Sequence, residues 1–111
     1  MEEKKKENNN QLEEEDIDKD TNIIFIGGKP FMNYVTGIVM QFTTKQANEV
    51  VVKSRGKFIS KSVDVVEVAR KRFLKDLQIT VKDIAISSEE FINKEGKKIN
   101  VSIMDIVLVK D

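Results

Sequence analysis

The sequence predicts an α/β sandwich in which a mixed four-stranded sheet carries two helices on one face, in the order β-α-β-α-β-β. Three observations predict it. Four apolar runs of strand character are interleaved with two stretches whose apolar residues recur at helical spacing. Two strand-helix-strand crossovers come first, which favours parallel pairing of the first strands, and the last two runs follow each other as an antiparallel hairpin. A length of 111 residues, 40% of them hydrophobic, leaves room for one domain with a single core.

Asn22-Ile23-Ile24-Phe25-Ile26 is a short apolar run ended by Gly27-Gly28, as suits a buried strand. Pro30 sits where a first helical turn tolerates it, and Phe31, Val35, Ile38, Val39 and Phe42 recur at helical spacing. A second strand runs from Glu49 to Lys53. Ser60 is the expected N-cap of a second helix, along which Val63, Val66, Ala69, Arg70 and Phe73 are spaced. Leu77, Ile79 and Val81 alternate with polar residues, and the run continues through Ile84 and Ile86 as a long third strand. The fourth, Ile99 to Val109, becomes apolar on both faces from Met104 onward, which implies burial on both sides. Two helices cover only one sheet face, so apolar surface is left over. A homodimer is the economical way to bury it.

The net charge is zero, yet the charges are segregated. Residues 1–20 hold nine acids and four lysines, and the remainder carries 15 bases and 10 acids. Residues 1–20 are therefore expected to be a disordered acidic tail, too poor in apolar side chains to offset its ordering entropy, and 21–111 a basic domain. The tail serves either for solvation or as an intramolecular competitor for the basic face.

Cysteine and histidine are both absent, which removes disulfides, thiolate metal sites and the commonest general base and metal ligand. No cofactor or metal is expected. The best carboxylates for catalysis, Asp64 and Glu67, are spaced to pair with Lys61 and Arg70, and no enzyme activity is expected. No apolar run approaches a membrane span and the N-terminus is polar, so an intracellular, cytoplasmic protein is expected.

Two basic sites stand out. Lys53, Arg55, Lys57 and Lys61 fall where a strand empties through Gly56 into a helix, with no acid adjacent in sequence. That is the makeup of a phosphate-contacting loop. Lys29 follows Gly27-Gly28 at a helix start whose N–H groups and dipole favour an anion. The spacing of a nucleotide-binding P-loop is missing. A third cluster, Lys94, Lys97 and Lys98, crowds a hairpin whose tip, Asn93 to Gly96, has the chemistry of a type I turn closed by a left-handed glycine. Such a ribbon either enters a nucleic-acid groove or keeps a protruding edge soluble and unpaired.

Gly27-Gly28-Lys29-Pro30-Phe31-Met32-Asn33-Tyr34-Val35, Lys53-Ser54-Arg55-Gly56-Lys57-Phe58-Ile59-Ser60-Lys61-Ser62-Val63-Asp64 and Arg70-Lys71-Arg72-Phe73-Leu74 closely resemble the Alba family of small archaeal chromatin proteins. The resemblance spans Asn22 to Lys110, in order and spacing. It implies a fold related to the C-terminal domain of a bacterial translation initiation factor. It also implies a homodimer that lays its body over double-stranded DNA, reaches two hairpin arms into the minor groove and associates with the chromosome. By position, Lys29 matches the lysine facing the phosphate backbone, Lys53, Arg55 and Lys57 the basic loop beside it, and Asn33 and Tyr34 the helix start framing that surface. Phe73 matches an aromatic used in dimer-dimer contacts, although its spacing equally suits a core residue. Many members carry a lysine, modified by acetylation, where this chain has Gly28. The resemblance also permits binding of RNA, in RNA processing or translation, for instance as a ribonuclease P-type subunit. A third reading is a protein-interaction scaffold acting through the sheet face.

Overall fold

A computed structural model describes residues 22–111; the expectations for residues 1–20 lie outside the described residues. Four strands, β1 (Ile23–Phe25), β2 (Glu49–Arg55), β3 (Ile79–Ile92) and β4 (Lys98–Lys110), form one sheet in the order β1-β2-β4-β3. Helix α1 (Phe31–Thr43) connects β1 to β2, which pair in parallel as expected. Helix α2 (Ile59–Val68) leads from β2 toward β3, but the two strands are not neighbours, because β4 lies between them and runs antiparallel to both. The second crossover thus leaves a gap one strand wide, and the hairpin folds back to fill it.

The alternation of β2 divides the sheet faces. Val50, Val52 and Ser54 point to the helices and are buried; Val51, Lys53 and Arg55 point to the open face. Ile24, Ile26, Ile106 and Leu108 join the helix side, where Tyr34, Val35, Ile38 and Phe42 of α1 and Val65 and Val66 of α2 complete the core. Each such aliphatic side chain removed from water contributes roughly 1.5–3 kcal/mol before entropy is charged against it. The core also holds a hydroxyl pair: Ser54 Oγ donates to Ser62 Oγ at 3.1 Å, and Ser62 Oγ donates to the Ile59 carbonyl at 2.6 Å.

Three expectations need correction. Ser60 is not an N-cap. The chain leaves β2 through a single 3-10 turn, Gly56–Phe58, whose last residue already has near-helical dihedrals, so the helix starts at Ile59 with Phe58 at its cap position and no side-chain cap. The buried stripe of α2 is Ser62, Val65 and Val66, continued by Ala69 in the turn that follows, which leaves Val63 exposed. Phe73 is not in the core: α2 ends in a π turn, Ala69–Phe73, closed by the Leu74 N–H on the Ala69 carbonyl, and the widened turn leaves Phe73 52% exposed.

The apolar remainder is more divided than expected. On β4 only Ile106 and Leu108 are buried, while Val107 and Val109 on the open face are half-buried. Ile84 and Ile86 pair with Ile106 and Met104 and so share the helix-bearing side. The helices pack over β1 and β2, and these two side chains at the far edge are left 54% and 77% exposed.

Candidate nucleic-acid interface

Because β1 and β2 are parallel, their C-terminal ends lie at the same end of the sheet. The Ile26 N–H donates to the Lys53 carbonyl at 2.9 Å, which sets the Gly27–Lys29 loop beside the start of the Arg55–Lys57 turn. Arg55 pairs in register with Ile103, which pairs with Ser87; beyond that level β3 and β4 continue alone to the Ile92–Lys98 pair. Five further residue steps at roughly 3.4 Å make an arm extending about 17 Å past the end of β2. Two loops and the root of the arm therefore meet at one end of the molecule.

The root is locked. Gly56 has φ +55°, a left-handed conformation that L side chains rarely adopt, and a Cβ there would lie 3.7 Å from Val101 Cγ1 of the arm. A shallow cleft between turn and arm is lined by Ile26, Arg55, Lys57, Phe58, Phe91 and Val101. Lys57 lies over the Phe58 ring, 5.4 Å from its centroid. The arm tip matches the expected turn: the Gly96 N–H donates to the Asn93 carbonyl at 3.0 Å and Gly96 has φ +81°. Asn93 Oδ1 accepts from the Glu95 and Lys97 N–H groups at 2.9 and 3.0 Å, so the side chain holds the turn that carries exposed Lys94, Lys97 and Lys98.

The cations of β2 are not free of acids. The absence of an adjacent acid in sequence is offset across the sheet, where Lys53 Nζ meets Asp105 Oδ2 at 3.0 Å directly opposite on β4, and Arg55 pairs with Glu89 of β3. Lys61 differs from the expected solvent-facing cation as well. It turns inward, donating to the Gly27 and Lys29 carbonyls at 2.7 Å each, instead of pairing with Asp64. Tyr34 is only 2% exposed, so it presents no surface of its own; its hydroxyl accepts from the Gly27 and Lys29 N–H groups at 3.0 Å each. Asn33, one residue earlier, is exposed on the first turn of α1, whereas Lys29 differs from the expected outward cation: its ammonium is buried. The inward turn of Lys61 and Tyr34 had no signal in the sequence, because it depends on two helices converging on one loop.

On the far side, Arg70 donates to Glu67 at 2.5 Å and to the Ile79 carbonyl at 3.0 Å, and Lys71 approaches Glu67 at 3.5 Å. The Arg70 hydrogen bond, helped by the charges of Arg70 and Lys71, holds the Glu67 carboxyl below the usual carboxylate range against the opposing effect of burial. Among the described residues no group of three or more His, Cys, Asp or Glu could hold a metal ion. Among them no helix is long and apolar enough to cross a membrane.

Comparison with known proteins places this geometry. The family model described as Alba matches residues 22–88. The DNA/RNA-binding protein Alba of Methanococcus maripaludis is 44% identical over 89 residues, covering 80% of this chain and 98% of that protein. The DNA/RNA-binding protein Alba of Nanoarchaeum equitans is 53% identical over 88 residues, covering 78% and 96%. The solved structure of Alba from Thermoplasma volcanium superposes with a TM-score of 0.73 at 43% identity, covering 80% of this chain and 100% of that one. With its sheet order, its arm and these similarities taken together, the chain belongs to the Alba family.

Proposed function

We propose that the protein binds double-stranded DNA, and RNA, largely without regard to sequence, as a dimeric architectural protein of the chromosome. The observation that carries this is the convergence of the Gly27–Lys29 loop, the Arg55–Lys57 turn and the arm at one end of the sheet. The relatives' names support the nucleic-acid class. Asn33, Arg55 and Lys57 face the phosphate backbone, with Lys53 behind Arg55, and Lys94, Lys97 and Lys98 follow the groove at the arm tip; Lys29, whose ammonium is buried in the free protein, reaches a phosphate only by turning outward. These cations sit on loops and strand ends, where they meet phosphates, whereas base reading commonly uses a recognition helix in the major groove. The half-buried Val107 and Val109 and the exposed Ile84 and Ile86 supply surface for a second copy of the chain. Phe73 is the residue proposed to touch the next dimer on the nucleic acid. The work is binding rather than catalysis, within the cytoplasm and on the nucleoid.

The test is affinity for a random-sequence duplex across a salt series. Log affinity falls linearly with log salt, by roughly 0.9 per neutralised phosphate. Arg55→Glu with Lys57→Glu weakens binding by more than about tenfold at moderate salt and leaves the melting temperature nearly unchanged, while Lys29→Glu weakens binding and also lowers the melting temperature, because the Lys29 ammonium is buried. Salt-independent affinity, or equal affinity of wild type and both variants, sinks the proposal. Sedimentation equilibrium reads the dimer directly.

A further inference from the structure

We infer that Lys61 and Tyr34 are positioning residues that fix the Gly27–Lys29 loop for its ligand, and that Lys61 is not itself a phosphate contact. The inference rests on the nucleic-acid reading for its consequence, but its geometry is independent of it. The backbone polar groups of Gly27 and Lys29 are all taken. Their two carbonyls accept from Lys61 Nζ and their two N–H groups donate to Tyr34 Oη.

The two side chains that do this also hold each other. Lys61 Nζ lies 4.9 Å from the centroid of the Tyr34 ring and 5.8 Å from that of Phe58. An ammonium has three donors; two are spent on carbonyls, and the charge is shared with two ring faces. Tyr34 comes from α1 and Lys61 from α2, so one short loop is tied to both helices at once.

The need for such a tie follows from the loop's composition. Two consecutive glycines before Lys29 give the free chain unusual conformational freedom, and ordering it on binding would cost affinity. A loop already fixed through four hydrogen bonds carries that cost in the folded state instead. The arrangement also decides what the loop can offer. The N–H groups of Gly27 and Lys29 are committed to Tyr34 and do not serve as anion donors, which leaves recognition to side-chain charge. Lys61 is half-buried and two of its donors are occupied at 2.7 Å, so phosphate would have to strip it from the loop it supports.

The salt series separates the two roles, because a phosphate contact changes the slope and a positioning residue changes only the intercept. Affinity for a random-sequence duplex is measured for wild type, Lys61→Met, Lys61→Arg, Tyr34→Phe, the Lys61→Met/Tyr34→Phe double variant and Lys57→Ala. Lys61→Met and Tyr34→Phe are each expected to weaken binding roughly three- to tenfold with the slope unchanged, since each removes hydrogen bonds that hold the loop. The double variant is expected to lose much less than the product of the singles, since both act through one loop. Lys61→Arg, which keeps charge and donors, is expected to recover part of the loss. Lys57→Ala, at an exposed cation, is the contrast, with the slope reduced by roughly 0.9.

Amide hydrogen exchange supplies a readout that needs no nucleic acid: Gly27 and Lys29 are protected in wild type and exchange faster in Tyr34→Phe, which keeps the ring and the core. A Lys61→Met slope reduced as in Lys57→Ala overturns the inference by making Lys61 a contact. So do unprotected Gly27 and Lys29 amides in wild type, or single variants that bind as wild type does. Failure of wild type to bind duplex overturns the functional proposal, while the exchange result still decides the geometry.

Discussion

Arg55 reaches across a whole strand to Glu89. The two residues lie on β2 and β3, which are separated by β4, and their ion pair bridges over the open face near the level of Ile103. Both side chains are more than half exposed, so the pair adds little to stability. Its effect is on availability: in the free protein Glu89 occupies the guanidinium that a phosphate would take. Glu89→Gln is therefore expected to raise duplex affinity about two- to fivefold, matching the ~0.2–1 kcal/mol of an exposed pair. A steeper salt dependence accompanies the gain. An unchanged salt series would show that Arg55 is not engaged.

Gly28 offers a gain of function. It is exposed, and a Cβ built there meets nothing within 4 Å. Gly28→Lys is accordingly expected to fold as wild type does, with little change in melting temperature. It adds a second cation to the loop and steepens the log-log salt slope by roughly 0.9 if that cation neutralises one phosphate. A tighter but parallel line would point to a change in loop rigidity instead.

At the arm, Lys94, Lys97 and Lys98 can be replaced by glutamine without touching the Asn93 and Gly96 interactions that shape the turn. The triple variant is expected to bind duplex more weakly and with a shallower salt slope, and to lose less affinity for single strands, which present no groove. Equal losses for both ligands would assign the arm a purely electrostatic role.

Glu67 gives a pH test of stability. Arg70 holds its folded-state pKa below the ordinary value of 4.5, so its contribution is present above that value and is lost as pH falls through the depressed one. Glu67→Gln is expected to lower the melting temperature slightly at neutral pH and to match wild type in strong acid. The carboxylate is 42% exposed, so the difference is small. A constant offset at all pH values would mean that packing, not charge, is responsible.

The acidic residues 1–20 give a final test by truncation. We propose that these nine acids, joined to a basic domain, compete with phosphate at a high local concentration. Removing them is expected to raise duplex affinity where the Debye length is ~10 Å or more, and to change little near molar salt, where it is ~3 Å. Equal affinity of both forms at low salt leaves the segment a solubility device.

Much of this fold could be read in advance because its signals are local. The strand-helix spacing, the Asn93–Gly96 tip and the two glycine-bearing basic turns are each written within a few residues. What could not be read depends on residues far apart. Two chain reversals use left-handed backbone at Gln46 and Gln78, where no glycine marks them. The acids opposing Lys53 and Arg55 arrive from β4 and β3, and their register is fixed only when the sheet is assembled. Tyr34 and Lys61 read as surface residues of a basic motif, and only the convergence of α1 and α2 on the Gly27–Lys29 loop turns them inward.

The position of β4 has a consequence for biosynthesis. A ribosome has already made β1, α1, β2, α2 and β3 before it makes the strand that joins β2 to β3, and Val51 must wait for Val107. Until then β2 and β3 each carry an unsatisfied edge, the condition that invites pairing with other nascent chains. A chain stopped at the arm tip therefore has the paired β1 and β2 and a lone β3, with nothing between them.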